Sequence, residues 1–294
     1  MIDGALLLDK PLGISSNAAL QAAKGIYGAR KAGHAGTLDP LATGLLVLLF
    51  GEATKLAGHL LDQEKEYLAT VKLGETTTTG DAEGEIVESR AVAVDTESLR
   101  AVLGRFLGEI EQVPPMHSAL KRGGVPLYRL AREGKDVERQ PRRVRIASIE
   151  LLAFEPPRAE VRIRCSKGTY IRTLAEDIGK ALGTGAHLRA LRRTASGRFR
   201  IEDAIELQAL RELGSAERLR RLIGLGALVG DLPRAELDAG AEARLRNGQT
   251  LQISGLAEGV IAVVRADGAL IGLGHGEAGV LRPLRLTQAA DLHR

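Results

Sequence analysis

Apolar and polar positions change their period several times along the chain, and each change predicts an element. The run Ala5 to Leu8 is apolar and meets Asp9-Lys10-Pro11, a short strand ending in a Lys-Pro-x-Gly turn. Ser15 or Ser16 then caps a helix over NAALQAAKGIYG, whose first N–H groups need an acceptor. LLVLLFG, between Gly44 and Gly51, is apolar throughout and predicts a buried strand, with ATKLAGHLL following at helical spacing. In EYLATVKLG the period falls to two, with Tyr67, Ala69, Val71 and Leu73 on one face of a half-buried strand. DTESLRAVLGRFLG returns to helical spacing, with Leu99, Val102, Leu103, Phe106 and Leu107 on one stripe. Further on, Val161, Ile163 and Cys165 alternate with Arg162, Arg164 and Ser166, a strand apolar on one face and basic on the other. TYIRTLAEDIGKALG follows as a helix through Ile171, Leu174, Ile178 and Leu182, with Gly183 as its stop.

Two stretches break the pattern. From Pro115 to Arg143 the chain is punctuated by Pro and Gly, heavily charged, and helix-like only around Leu127 to Arg132. Such a polar excursion between regular elements reads as an arm inserted in the main domain. Near residue 230 short alternating strands begin, separated by Asn-Gly, Asp-Gly and Gly turns, the signature of hairpins. A boundary near Asp231 divides the chain into residues 1–230 and a small β-rich module, 231–294. Strands and helices mix without a regular βαβ repeat, so the fold class is α+β with an extended mixed or antiparallel sheet.

Composition narrows the function. The 294 residues are 44% hydrophobic and 27% charged, ordinary globular values. A lone Cys165 rules out an intrachain disulfide and a cysteine-rich zinc cluster, and the six scattered histidines form no metal-ligand pair, so no metal site is expected. No apolar run reaches the roughly 18 residues of a spanning helix, so the expected location is the cytoplasm. Net charge is only +4, but it is clustered. Arg189, Arg192, Arg193, Arg198 and Arg200 fall between Leu188 and Arg200 without an acid. Between Arg129 and Arg145, seven basic residues face three acidic ones. This is the footprint of a polyanionic partner or, more blandly, a solvated basic face.

The candidate chemistry lies in GHAGTLDPLATGLL, residues Gly33 to Leu46. Asp39 precedes Pro40, which biases it toward extended conformations and limits how the carboxylate can relax. By itself the stretch reads as a turn stabilised by an Asp. In SKGTYIRTL a glycine turn presents Tyr170 and Arg172 at a helix start; an arginine reaching Asp39 would keep it ionised, as a nucleophile or base requires. Tyr67 and Tyr170 offer flat rings for a nucleobase, although Tyr67 is equally in phase with core positions. TTTTGDAEGEIVE carries turn signals around Asp81 and Gly84, and GDAEGE lacks the spaced ligands of a calcium loop. Neither a P-loop nor a GxGxxG after a strand occurs, so no cofactor is expected.

Taken in order, LLLDKPLGISS, GHAGTLDPLATGLL, KEYLATVKLGETTTTGDAEG, CSKGTYIRTLAEDIG and GAHLRALRR resemble the bacterial tRNA pseudouridine synthases of the TruB family, over Leu6 to Arg193. The resemblance implies a pseudouridine-synthase catalytic domain with an inserted arm and a C-terminal PUA-like domain. It implies isomerisation of uridine 55 in the T-loop of tRNA, by base flipping and an aspartate-dependent cleavage and re-formation of the glycosidic bond. Asp39 matches the catalytic aspartate, Tyr67 the tyrosine stacked on the uracil, and Arg172 the arginine paired with the aspartate. Tyr170 and Leu191 match pocket-lining residues, His34 a histidine that contacts the flipped T-loop nucleotides, and Lys10 and Pro11 a pair supporting the pocket. The partner implied is the T-loop and T-stem of tRNA, met by a monomer with no obligate protein partner. Two other readings compete: a guide-RNA-dependent relative with the same loop, and an RNA-binding or tRNA-folding module in which Asp39 is structural.

Overall fold

The computed structural model describes residues 2–118 and 120–288. The opening apolar run forms β1 (Gly4–Lys10), and Ser15 caps α1 (Ser16–Tyr27), its side chain accepting from the Ala18 N–H at 3.1 Å. β2 (Ala32–His34) and β3 (Ala42–Phe50) follow; β3 pairs antiparallel with β1 from Gly4↔Phe50 to Lys10↔Gly44. Nearly every β3 residue is buried, because α1 covers one face and other elements the opposite one. That is why its sequence is apolar without alternation.

A 3₁₀ turn (Gly51–Leu56) and α2 (Ala57–Asp62) lead to β4 (Lys65–Leu73), in which Lys65, Tyr67, Ala69, Val71 and Leu73 are buried. The hairpin of β5 (Glu75–Thr77) and β6 (Ile86–Ser89) precedes α3 (Thr96–Gly104), capped by Asp95. α3 stops earlier than its apolar stripe. The Phe106 and Leu107 N–H groups bond back only three residues, and the chain turns into β7 (Gly108–Gln112) at Gly108 with φ +87°. Phe106 still packs on the core, but Leu107 is 49% exposed.

The arm carries β8 (Lys121–Arg122), β9 (Val125–Pro126) and α4 (Leu127–Arg132). It leads into the long β10 (Arg142–Glu155), then β11 (Arg158–Cys165), α5 (Ile171–Ala181) and β12 (Ala186–Ser196). With β13 (Phe199–Arg200) and β14 (Ile205–Glu206), these complete a ten-stranded sheet in the order β14-β1-β3-β12-β4-β11-β10-β7, β2 pairing on β3 and β13 on β12. Two pairs are parallel, β1 with β14 and β3 with β12, so of the mixed and antiparallel arrangements the sequence leaves open, the sheet is the mixed one.

Beyond short helices (Leu207–Glu212, Ser215–Arg220, Leu225–Leu228), a second sheet uses β15 (Arg234–Leu237), β16 (Leu251–Gln252), β17 (Gly259–Arg265), β18 (Leu270–Glu277) and β19 (Val280–Leu286). Its order is β15-β17-β18-β19-β16. Residues 289–294, the end of the second predicted module, lie outside the described residues. Val264, Leu270 and Leu273 join the same apolar cluster as Leu7, Leu45 and Val47 of the first sheet. The Lys55 Nζ donates to the Leu286 carbonyl at 3.0 Å, and the Gln288 N–H to Glu52 at 2.6 Å, clasping the module's end to the 3₁₀ turn. Among the described residues no helix is long and apolar enough to cross a membrane.

Candidate active site

The centre of the sheet brings distant segments together. Arg172 sits in the first turn of α5 with only 5% of its side chain exposed. Its Nη2 lies 2.9 Å from Asp39 Oδ2 and donates to the His117 carbonyl at 2.6 Å. Its Nη1 lies 3.4 Å from Asp81 Oδ2 and donates to the Thr79 carbonyl at 3.2 Å. Asp39, 41% exposed at the side chain, is the open end of this pair; Asp81, at 4%, is the closed end. Asp81 therefore differs from the plain turn residue its sequence suggests. Its Oδ1 accepts from Thr79 Oγ1 at 2.6 Å and from the Glu83 N–H at 3.1 Å.

One guanidinium shared by two carboxylates changes the electrostatics expected from the sequence. Burial lifts the Asp39 carboxyl above its ordinary range. Arg172 and, more weakly, Lys10 pull it back, while the charge of Asp81 pushes it further up. The result is a carboxylate more basic than a free aspartate, held in place by a cation. Such a group is suited to attack carbon or to take a proton.

Asp39 and Arg172 open on a cavity of about 760 Å³ that Tyr67, Tyr170 and Leu191 also line. Tyr67 is at once a core and a cavity residue: 9% exposed and within the apolar cluster, it also lines the space. Tyr170 is fixed by Gln112 at the end of β7, which accepts from the Tyr170 N–H at 3.0 Å and donates to its carbonyl at 3.3 Å. Arg193, in the arginine cluster that suggests phosphate binding, is instead 1% exposed. Its Nε donates to the Leu45 carbonyl at 2.6 Å and its Nη2 to the Gly36 carbonyl at 3.1 Å. Gly44, at φ +99°, makes room for the Arg193 backbone; a Cβ there would collide with it. Lys65, also buried, spends its ammonium on the Leu61 and Gln63 carbonyls, both at 2.6 Å, and burial lowers it to about 8.

Three of the predicted residues stand apart from the cavity. His34 lies in β2 opposite Leu48 rather than in the loop. Its Nδ1 is buried without a hydrogen-bond partner among the described residues, and burial disfavours its charged form. Lys10 is fully buried; its ammonium donates to the Pro11 carbonyl at 2.8 Å and to Ile14 at 2.7 Å, and desolvation lowers it to about 8. With exposed Pro11 it borders a separate cavity of about 440 Å³, beside the Arg192–Asp9 ion pair. Asp81, Arg193 and Gln112 are the site residues that sequence reasoning misses. Their only signal is polar character at positions the fold buries, which no local pattern reveals.

Comparisons with known proteins agree with this architecture. The family description "TruB family pseudouridylate synthase (N terminal domain)" matches residues 24–171. The "tRNA pseudouridylate synthase B C-terminal domain" matches 172–225, and "Pseudouridine synthase II TruB, C-terminal" matches 233–287. Proteins named tRNA pseudouridine synthase B from Thiobacillus denitrificans and Burkholderia mallei are each 52% identical, over 97% of this chain and 96% and 97% of their own. Among solved structures, a chain in a crystal structure of a Cbf5–Nop10–Gar1 complex superposes with a TM-score of 0.76 at 27% identity, covering 97% of this chain and 84% of that one. A chain of an H/ACA RNP bound to a substrate RNA containing 2′-deoxyuridine gives 0.72 at 25% identity, over 99% and 85%. With the family descriptions spanning both sheets, the chain belongs to the TruB family of pseudouridylate synthases.

Proposed function

We propose that this enzyme isomerises uridine 55 in the T-loop of tRNA to pseudouridine, with Asp39 as its catalytic residue. The observation that carries the reading is the Asp39–Arg172 pair at 2.9 Å, opening on a cavity walled by two tyrosines. The similarity to proteins named tRNA pseudouridine synthase B supplies the RNA. The reaction breaks the N1–C1′ bond, turns the base and joins C5 to C1′; N1 gains a proton and C5 loses one, so no outside electron or group is needed. Asp39 acts either by attack on C1′ or by removing the C2′ proton to give a glycal. Both roles require it ionised, and both gain from the raised basicity that burial and Asp81 impose.

The uridine reaches the cavity by leaving the loop's stack, at a cost of a few kcal/mol. Stacking on Tyr67 returns about 1–3 kcal/mol of that. Tyr170 and Leu191 line the pocket, and Lys10 with Pro11 supports the loop beside it. His34, outside the cavity, meets the neighbouring displaced nucleotides. The arm closes over the T-loop, and recognition is chiefly of loop shape. The enzyme works in the cytoplasm as a single chain, without a guide RNA or protein partner.

The test is an unmodified tRNA transcript mixed with the purified chain and assayed for pseudouridine at position 55 by mass spectrometry. Stoichiometric conversion is expected from the unaltered protein, and none from Asp39→Asn, which stays folded. Turnover by Asp39→Asn would remove Asp39 from the chemistry. Dependence on an added guide RNA would favour the guide-dependent reading, and binding without pseudouridine the purely RNA-binding one.

A further inference from the structure

The loop between β1 and α1 grips the backbone on both sides of Asp39. Ser15 is the N-cap of α1, so the next hydroxyl, that of Ser16, is not needed by the helix start. Ser16, 2% exposed, turns inward across a sequence separation of 22 residues. Its Oγ accepts from the Leu38 N–H at 2.7 Å and donates to the Leu38 carbonyl at 2.9 Å. Both polar groups of the residue before Asp39 are thereby met by one side chain. On the other flank, the Gly13 N–H donates to the Pro40 carbonyl at 2.9 Å, and the Asp39 carbonyl accepts from the Ala42 N–H at 3.0 Å. The Leu38 side chain is sunk in the main apolar cluster, 3% exposed. The gripping loop is itself cross-braced by the Lys10 ammonium, which ties the Pro11 carbonyl to that of Ile14.

The geometry points to Ser16 as a positioning residue for Asp39, the part of the Lys10–Ser16 loop that fixes where the carboxylate stands relative to Arg172 and the ribose. This inference rests on the reading of Asp39 as the reacting group. The main chain at Leu38 is buried, so water cannot take the place of the lost hydroxyl without local rearrangement. A side chain attached to the next residue inherits any shift. Misplacement by about 1 Å at a reacting group is enough to cost roughly 10²-fold in rate. The same shift lengthens the 2.9 Å contact with Arg172, which is one of the two attractions holding the Asp39 carboxyl down. Loss of the clamp therefore moves the acidity of Asp39 as well as its position.

Ser16→Ala and Ser16→Thr are compared with the unaltered enzyme on a T-loop stem-loop RNA. Single-turnover rate is followed across pH, alongside RNA affinity and thermal unfolding. The expected result for Ser16→Ala is a rate 10- to 100-fold lower, RNA affinity within about twofold, and the acid limb of the pH–rate profile moved to higher pH. Ser16→Thr keeps the hydroxyl and regains most of the rate. If Ser16→Ala does not fold, Ser16→Cys, with its weaker donor and acceptor, serves in its place with the same expectations. An undiminished rate, or a lower rate with the acid limb unmoved, overturns the proposal. Asp39→Asn separates the two levels. An active Asp39→Asn overturns the reading of the site, whereas an inactive one beside a normal Ser16→Ala overturns only the clamp.

Discussion

Arg172→Met removes the cation that bridges Asp39 and Asp81 while roughly keeping the volume. Asp81, 4% exposed, is left as a buried charge that water cannot reach. Breaking a buried pair from one side costs about 3–5 kcal/mol. Asp39, 41% exposed at its side chain, is partly solvated, so its share is in the range of a surface pair, about 0–1 kcal/mol. The loss at pH 7 should therefore be about 3–5 kcal/mol and belong mostly to Asp81. Urea unfolding of Arg172→Met, alone and combined with Asp81→Asn or Asp39→Asn, measures this partition. Asp81→Asn should recover at least ~2 kcal/mol and Asp39→Asn less than ~1. Greater recovery from Asp39→Asn than from Asp81→Asn would refute this charge balance.

Gly44→Ala combines a φ of +99° with a collision at the Arg193 backbone, and should lower stability by ~3 kcal/mol or more, read by chemical denaturation, with activity falling as Arg193 shifts. Tyr67→Leu should keep the fold and forfeit about 1–3 kcal/mol of base stacking, seen as a roughly 5–150-fold weaker half-saturation in single turnover. Lys10 and Lys65, both lowered to about 8 from 10.5, bind fewer protons folded than unfolded between those values. Stability should accordingly rise with pH across that window. Cys165, pushed up to about 11, and Tyr27, to about 12, act in the opposite direction above their ordinary values of 9.0 and 10.0. The net gain should thus be about 1–2 kcal/mol between pH 8 and 9, and Lys65→Met should remove about half of it.

What the sequence reveals and what it hides divide along a physical line. The alternation in β4 and β11, the uniform apolarity of β3 and the Gly-rich turns of the second sheet are local consequences of burial, and each is legible. Asp39 and Arg172 are legible as a pair only through the ordered motifs around them, since 133 positions separate them in the chain. Asp81 looks like one more turn residue because its partner guanidinium lies on another element. Arg193 looks like part of a basic surface, yet its hydrogen bonds to Leu45 and Gly36 span 148 and 157 residues and sink it under the sheet. Ser16 and Ser15 are indistinguishable as helix caps until the structure shows which hydroxyl faces α1 and which faces Leu38. His34 reads as a loop residue because a three-residue edge strand is too short to show a period.

The apolar cluster shared by the two sheets has a mechanical consequence. Swinging the C-terminal module away would bare Val264, Leu270 and Leu273. At about 1.5–3 kcal/mol for each exposed side chain, the three together oppose that swing by roughly 5–9 kcal/mol. An opened form would then be populated at no more than about one molecule in several thousand. The two sheets behave as a single rigid gauge, and any ligand long enough to touch both encounters a preset span.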